Sequence, residues 1–270
     1  MRIALHQGPA QPADAEANLD VLAATARSAA DGGARLLVFP EMFLTGYNIG
    51  PDAVRRLAEP ADGPSAQQVA RIAQETGIAV LYGYPELVGD AVYNAAQLVE
   101  RDGRRLTNYR KTHLFGELDT AAFSPGAGGF VTVQVDDLRV GVLICYDVEF
   151  PEAVRALALA GADLVAVPTA LMAPYDAVAQ TLVPARAIEN QVFVAYANHS
   201  GQERELTYTG LSCVIGSDGG ELVRAGRDAA LVFADLDPER HAAARSELTY
   251  LQDRRPELYG SLLSPQEVRP

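Results

Sequence analysis

A chain of 270 residues with 49% hydrophobic and 21% charged side chains is able to bury a large core, and its length suits one α/β domain over 1–270. Its formal charge of −13 comes without any run of Lys or Arg, which argues against nucleic acid or an anionic membrane surface as a partner. No apolar run approaches the roughly 18 residues of a membrane-spanning helix, MRIALHQGPAQP has no secretion pattern, and two cysteines, Cys145 and Cys213, suit a reducing cytoplasm.

Short β-type runs alternate with helical periodicity along the chain. Arg2–His6 reads as a strand. From about Asp14 a helix follows, with Ala15, Leu19, Leu22, Ala23, Ala26 and Ala30 on one side at spacings of three and four, and Gly32-Gly33 stops it. Leu36–Phe39 is the next strand. A second helix has Ser65 as N-cap and Val69, Ile72 and Ala73 as its buried face, and Gly77 ends it ahead of the strand Ile78–Tyr84. Val92–Glu100 and Arg104–Arg110 pair as a hairpin about Asp102-Gly103, a dipeptide favoured in tight hairpin turns.

Strands Phe130–Val135 and Arg139–Ile144 come next, then a helix after Pro151, the strand Leu164–Val167, a helix near Ala177–Asn190 and the strand Val192–Ala197. The last third predicts antiparallel strands Thr209–Ile215, Glu221–Ala225 and Leu231–Asp235, with a hairpin around Ser217–Gly220. Together these elements form an α/β pattern with a mixed sheet system and helices outside.

Three reactive side chains stand where predicted strands end: Glu41 after Leu36–Pro40, Lys111 after Leu106–Arg110 and Cys145 after Arg139–Ile144. Sites assemble at the carboxyl ends of strands because loops vary there while the sheet fixes their origin. Taken singly, each has a bland explanation: buried filler for the cysteine, solvated surface for the other two. Together they supply a base, a cation and a nucleophile, which acyl transfer to a thiol requires. Cys145 also leads toward Pro151-Glu152, the start of a helix, and a thiol near a strand-to-helix turn can meet backbone N–H groups. Cys213, in the small and apolar run Gly210–Ile215, belongs to the core. His6, His113, His199 and His241 show neither helical i, i+4 pairing nor HExxH, so no metal is expected. Gly126-Ala127-Gly128-Gly129 lacks the Lys-Ser/Thr of a phosphate loop and reads as a turn.

The strings VFPEMFLTGY (38–47), YRKTHLFG (109–116) and GVLICYDVEFPE (141–152) resemble, in order and spacing, the nitrilase or carbon–nitrogen hydrolase superfamily. Asn94, Phe123–Gly126, Arg186–Asn190 and Asn198 extend the similarity over nearly the whole chain. The resemblance implies a four-layer α-β-β-α sandwich, two mixed sheets between helix layers. It also implies a homodimer formed through helices beginning near Pro151 and Pro174, with no cofactor and no metal. By the same resemblance Glu41 is the general base, Lys111 the oxyanion-stabilising cation and Cys145 a nucleophile that passes through a thioester. Many members carry a further glutamate six residues before the proline of a PG motif. Asp119 stands there in this chain and Glu117 lies two residues earlier, and either could do that work.

The substrate class implied is a small aliphatic amide with an ω-amino or ω-guanidino end, cleaved to acid and ammonia. The same scaffold serves carbamoyl-amine hydrolases, ω-amidases of 2-oxo amides and nitrilases. Tyr146 offers its N–H to the oxyanion, while Tyr47, Tyr146 and Met172 are candidates for substrate contacts. Glu117, Asp119, Glu149 and Asp176 are candidates to meet a cationic end, since an unpaired charge in a pocket is costly. Two rivals stand beside this: a Cys-His-Asp hydrolase in which His199 or His241 takes the thiol proton, and a dimeric scaffold that keeps the fold without the chemistry.

Overall fold

The computed structural model describes residues 1–263, so the end of the expected domain span, 264–270, lies outside the described residues. The first half builds one sheet from β1 (Arg2–Gln7), β2 (Leu36–Val38), β3 (Ala79–Val88), β4 (Ala91–Val99) and β5 (Arg105–Arg110). Between β1 and β2 runs α1 (Ala15–Asp31), whose N-cap Asp14 accepts from the Ala17 N–H at 3.0 Å; its Leu19, Leu22 and Ala26 are buried as the periodicity requires. α2 (Pro51–Leu57) and α3 (Pro64–Thr76) lie between β2 and β3. Ser65 is not the N-cap of α3. Gly63 and Pro64 start that helix, and the Glu59 carboxylate accepts from the Ser65 N–H at 2.8 Å and from its Oγ at 3.0 Å. A carboxylate from the preceding loop thus serves the positive helix end, which a serine within the first turn cannot do.

After α4 (Gly116–Thr120) the chain builds a second sheet from β6 (Thr132–Val135), β7 (Leu138–Val142), β8 (Leu164–Thr169) and β9 (Phe193–Asn198), with α5 (Pro151–Leu159) and α6 (Val183–Asn190) as crossovers. The expected helix over 177–190 is broken: Val178–Leu182 forms a wide π-turn before α6. Pro184 has no N–H to donate, and a wide turn absorbs that missing bond.

The expected strand Thr209–Ile215 is also broken, by positive φ at Gly210 and Leu211, 65° and 59°. It becomes β11 (Leu206–Thr209), which pairs with β10 (Ser200–Glu203) in a separate ribbon, and β12 (Cys213–Ile215), which pairs with β9 and β13 (Glu221–Arg224). β14 (Ala230–Asp235) leaves β13 and crosses to the first sheet, where it pairs antiparallel with β1. Its side chains explain the move. Leu231 and Phe233 pack with the helices over that sheet while Val232 and Ala234 pack into the opposite core, so both faces are covered. The described chain ends with α7 (Pro238–Glu247) and two short 3-10 turns.

Strand order is β14-β1-β2-β3-β4-β5 in one sheet and β13-β12-β9-β8-β7-β6 in the other. Ile3, Leu5, Leu36, Val38 and Leu81 join Val142, Val165 and Val167 in one apolar core shared by the two sheets. The alternate residues Ala4, Leu37, Val80 and Tyr82 pack instead with Leu22 and Ala26 of α1 and Val69 and Ala73 of α3. α5 and α6 cover the second sheet through Val154, Leu157, Val183 and Ala187. The architecture is the α-β-β-α sandwich. Among the described residues no helix is long and apolar enough to cross a membrane.

Candidate active site

Glu41 lies just past β2. Its N–H donates to the Thr169 carbonyl at 3.3 Å, tying the first sheet's loop to the end of β8 in the second. Met42, next in the chain, has a φ of 53°, and β3 passes so close that a Cβ on Gly83 would lie 2.3 Å from the Met42 nitrogen. Glycine is required there by contact. Lys111 follows β5, its N–H bonded to the Asn94 carbonyl at 2.8 Å and its carbonyl accepting from Gly126 at 2.8 Å. The FSPG segment packs against the lysine strand: a Cβ on Gly126 would sit 2.3 Å from the Arg110 carbonyl.

Cys145 follows β7 and opens a 3-10 turn, Cys145–Glu149, with a φ of 47°. A non-glycine residue in the left-handed region is strained unless its surroundings hold it there. Asp147 does so from within the turn. Its Oδ2 accepts from the Ile144 N–H at 3.1 Å and the Tyr109 hydroxyl at 3.0 Å, and its Oδ1 from the Thr112 hydroxyl at 2.7 Å and the His113 N–H at 2.9 Å. One buried carboxylate thereby locks the cysteine turn to the lysine segment. From the other side Arg186 of α6 donates to the carbonyls of Val148 at 3.0 Å and Glu149 at 2.7 Å, capping the turn's end.

The side chains converge. Lys111 Nζ donates to Glu41 Oε1 at 2.7 Å and to Asp119 Oδ2 at 2.6 Å, and all three residues are fully buried. An ammonium has three N–H groups, so one is left for a substrate oxygen. Asn94 Nδ2 also donates to Glu41 Oε1 at 2.7 Å, whereas the buried Oε2 has no protein partner. That oxygen is free to take a proton. Asp119 is the carboxylate that orients the lysine: it accepts further from the Tyr47 hydroxyl at 2.9 Å and the Phe115 N–H at 2.8 Å. Glu117 is exposed and lines a hollow of about 300 Å³ with Tyr47, Asn48, Val54 and Leu118.

Burial raises Glu41 above the ordinary carboxylate range, with Lys111 acting against it and Asp119 reinforcing it. Burial works against a charged Lys111, but Glu41, Cys145 and Asp119 outweigh it and hold the ammonium well above the usual lysine value. The Cys145 thiol is pushed up by burial and by Glu41, against Lys111 and hydrogen bonds from Thr169 and the Ala170 backbone. At rest the sulfur is a neutral thiol. A base must take its proton as it attacks. Tyr146 follows in the first turn of the 3-10 segment, where an amide has no intrahelical acceptor and can face an oxyanion.

The remaining candidates are distributed unevenly. Tyr47 is bonded to Asp119. Tyr146 is half-buried among aromatic rings, 5.3 Å from Phe115 and 4.9 Å from Phe150 between centroids. Met172 is half-buried and bridges to Tyr208. Asp176 is ion-paired with Arg227. Glu149 is half-buried at the end of the cysteine turn. Neither rival histidine is aimed at the sulfur. His199 has Nε2 2.7 Å from the Glu41 carbonyl and Nδ1 3.1 Å from the Gly8 carbonyl, and His241 in α7 meets Asp163 at 3.3 Å. Glu203, unmarked in the sequence, accepts from the N–H groups of Tyr47 and Asn48 at 3.3 and 2.9 Å and from the Tyr208 hydroxyl, holding the loop after Glu41. No group of three or more His, Cys, Asp or Glu among the described residues is placed to hold a metal ion.

Fold and site together define a thiol-dependent hydrolase class, with base, cation and cysteine delivered by three strand ends. The chain matches the carbon-nitrogen hydrolase family over residues 2–246 and belongs to that family, the nitrilase superfamily. It is 54% identical over 263 residues to a Pseudomonas protegens protein described as "Hydrolase in pqqF 5'region", covering 97% of this chain and 92% of that one. It is 39% identical over 262 residues to an (R)-stereoselective amidase of Pseudomonas sp, covering 96% and 93%. Among solved structures, a double mutant of the amidase of Nesterenkonia sp. AN1 in complex with acrylamide superposes with a TM-score of 0.85 at 36% identity, covering 97% of each chain.

Proposed function

We propose that the protein is an amidase that hydrolyses the terminal carboxamide of a small aliphatic amide. The observation that carries this is the closed set in which Lys111 binds both Glu41 and Asp119 while one Glu41 oxygen stays unpartnered. In the proposed reaction Glu41 Oε2 takes the thiol proton as the Cys145 sulfur attacks the carbonyl carbon. The remaining Lys111 N–H and the Tyr146 N–H stabilise the oxygen as it becomes negative. The C–N bond breaks with the proton on Glu41 passing to the leaving nitrogen, so ammonia departs and a thioester remains. Water then gives one proton to Glu41 and adds as hydroxide to the thioester carbon; the C–S bond breaks, Glu41 returns the proton to the sulfur, and the acid leaves.

For the substrate we place 5-aminopentanamide first and 4-guanidinobutanamide second. The strings MRIAL, PEMFLTGYNIG, YGYPE, NYRKTHLFGELD and LICYDVEFPE resemble bacterial 5-aminopentanamidase. A variant of the Nesterenkonia amidase is described in complex with butyramide, which supports short aliphatic amides. We also propose a homodimer, supported by exposed Leu159 at the end of α5 and exposed Tyr175 before the π-turn, and a cytoplasmic location, supported by two cysteines that are both free thiols. Light scattering on the purified protein measures its size. Ammonia release from ω-amino, ω-guanidino, unsubstituted and α-oxo amides tests the activity, and silence across that panel overturns it.

A further inference from the structure

Four carboxylates, Glu117, Asp119, Glu149 and Asp176, are the candidates to meet a cationic substrate end, and the structure separates them by what each is already bound to. Asp119 is committed to Lys111, Tyr47 and Phe115. Asp176 is paired with Arg227. Glu117 is exposed on the hollow beside α2. Glu149 differs from all three: it is partly buried, as Asp176 is, yet no ion pair or hydrogen bond among the described residues engages its carboxylate, and it lies four residues from the nucleophile in the same 3-10 turn.

We propose, resting on the amidase activity above, that Glu149 is the specificity-determining carboxylate, receiving an ammonium or guanidinium at the end of the substrate away from the carbonyl.

The cations around Glu149 are engaged elsewhere. Arg186 directs Nε and Nη2 to the backbone carbonyls of Val148 and Glu149 and Nη1 to Glu189 Oε1 at 3.0 Å. Lys111 directs two of its three N–H groups to Glu41 and Asp119. No ion pair joins Glu149 to another side chain among the described residues, while its backbone is pinned by Arg186 so that the carboxylate has a fixed origin. Partial burial raises its pKa, and Lys111 and Arg186 pull the other way, so both act on it electrostatically without bonding it. Its oxygens are not among the fully buried unpartnered atoms, so the carboxylate can be reached from outside, and a cation arriving with the substrate would supply the counterion that a partly desolvated carboxylate lacks. The flanking rings suit such a ligand. Phe150 follows Glu149 directly, stacks on His113 at 3.9 Å and meets Tyr146 edge-on; the half-buried Tyr146 ring, which also meets Phe115, adds an aromatic surface of the kind that attracts ammonium and guanidinium groups.

The test compares kcat/KM for 5-aminopentanamide, pentanamide and the monoamide of glutaric acid in the full-length protein and in Glu149→Gln. A charge-assisted contact corresponds to about 10- to 100-fold in binding, so the ratio of charged to uncharged amide is expected to fall by that factor in Glu149→Gln. The anionic monoamide is expected to be the poorest wild-type substrate and to gain relative to 5-aminopentanamide in the variant. Glu149→Asp keeps the charge and retracts it by one methylene, so chain-length preference moves from 5-aminopentanamide toward 6-aminohexanamide; this readout stands even if the glutamine variant does not fold. An unchanged ratio in Glu149→Gln, or an unchanged length preference in Glu149→Asp, overturns the assignment. So does a wild-type enzyme that cleaves pentanamide as well as 5-aminopentanamide, a result that leaves the amidase activity standing. Ammonia from none of the amides refutes the amidase activity itself and this proposal with it.

Discussion

Replacing Asp119 with asparagine removes a charge while keeping a shape, and the hydrogen bonds fix what the amide can do. Oδ2 accepts from two donors, Lys111 Nζ at 2.6 Å and the Phe115 N–H at 2.8 Å, so the amide oxygen must occupy that position. The amide nitrogen then faces the Tyr47 hydroxyl, 2.9 Å from Oδ1, which can rotate from donor to acceptor. Every bond is retained and only the anion is lost. Exchanging a charge-assisted bond for a neutral one removes roughly 1–2 kcal/mol. Expressed wholly in the transition state, that is about a 5- to 30-fold fall in kcat. Asp119→Ala instead strands the lysine, the tyrosine and an amide in a fully buried site, and breaking a buried pair in this way costs about 3–5 kcal/mol of stability. The pH profile supplies an independent readout. Glu41 must be unprotonated to accept the thiol proton, so activity is lost as pH falls through its pKa. That pKa is raised chiefly by burial and further by Asp119, which places the acid limb above the ordinary carboxylate range. Removing the Asp119 charge moves that limb to lower pH. Ammonia-release kinetics between pH 4 and 9 and urea unfolding of both variants measure all three effects. An Asp119→Asn enzyme with wild-type kcat and an unmoved acid limb refutes the role given to this carboxylate.

Cys145→Ala and Cys145→Ser are expected to abolish ammonia release with the fold intact, whereas Cys213→Ala, in a core strand where burial pushes the thiol up to about 12, keeps activity; exchanged outcomes reassign the nucleophile. Gly83→Ala drives a Cβ to 2.3 Å from the Met42 nitrogen and 2.9 Å from the Glu41 carbonyl carbon, so the backbone must shift, at about 1–3 kcal/mol of stability. Since that shift displaces Glu41, kcat falls further than KM changes, and a normal kcat would show that the loop tolerates the contact. His6, lowered to about 4 chiefly by burial with His199 adding to it, stays neutral in the fold while the unfolded chain takes up protons below about pH 6.5. Stability therefore erodes as pH falls from 6.5 toward 4, by roughly 3 kcal/mol at 1.36 kcal/mol per pH unit. Urea midpoints across that range should flatten in His6→Leu, and an equally steep decline there assigns the acid sensitivity to other groups.

Element types were legible wherever periodicity and a stop signal coincided, as in α1, α3 and the β4–β5 hairpin. Partners were not. Leu231–Asp235 alternates like a strand in either sheet, and its choice of β1 over β13 follows from where Phe233 and Val232 find cover on opposite faces, which no local pattern encodes. The break at Gly210 and Leu211 was hidden for a related reason. Leucine rarely adopts a positive φ, so a run of small and apolar residues reads as continuous until tertiary contacts impose the kink.

The site divided along the same line. Glu41, Lys111 and Cys145 could be found because each ends a strand, a one-dimensional mark. Choosing between Glu117 and Asp119 depends on helical phase: two residues apart on α4 they point about 200° away from each other, so only one can face Lys111. That phase is set by the left-handed Gly116 at the start of α4, a glycine whose Cβ would meet nothing within 4 Å and which therefore carries no steric signature. Asp147 was harder still. In the string CYDVE it is one more polar residue, yet its partners Tyr109, Thr112 and His113 lie 34 to 38 positions earlier. A carboxylate that holds a strained nucleophile in place through so distant a segment can be recognised only once the two strand ends are brought side by side. The same holds for Glu203, which secures the loop after Glu41 from about 155 residues further along the chain. In this site the reacting groups follow from local chain position, and the groups that hold them follow from topology.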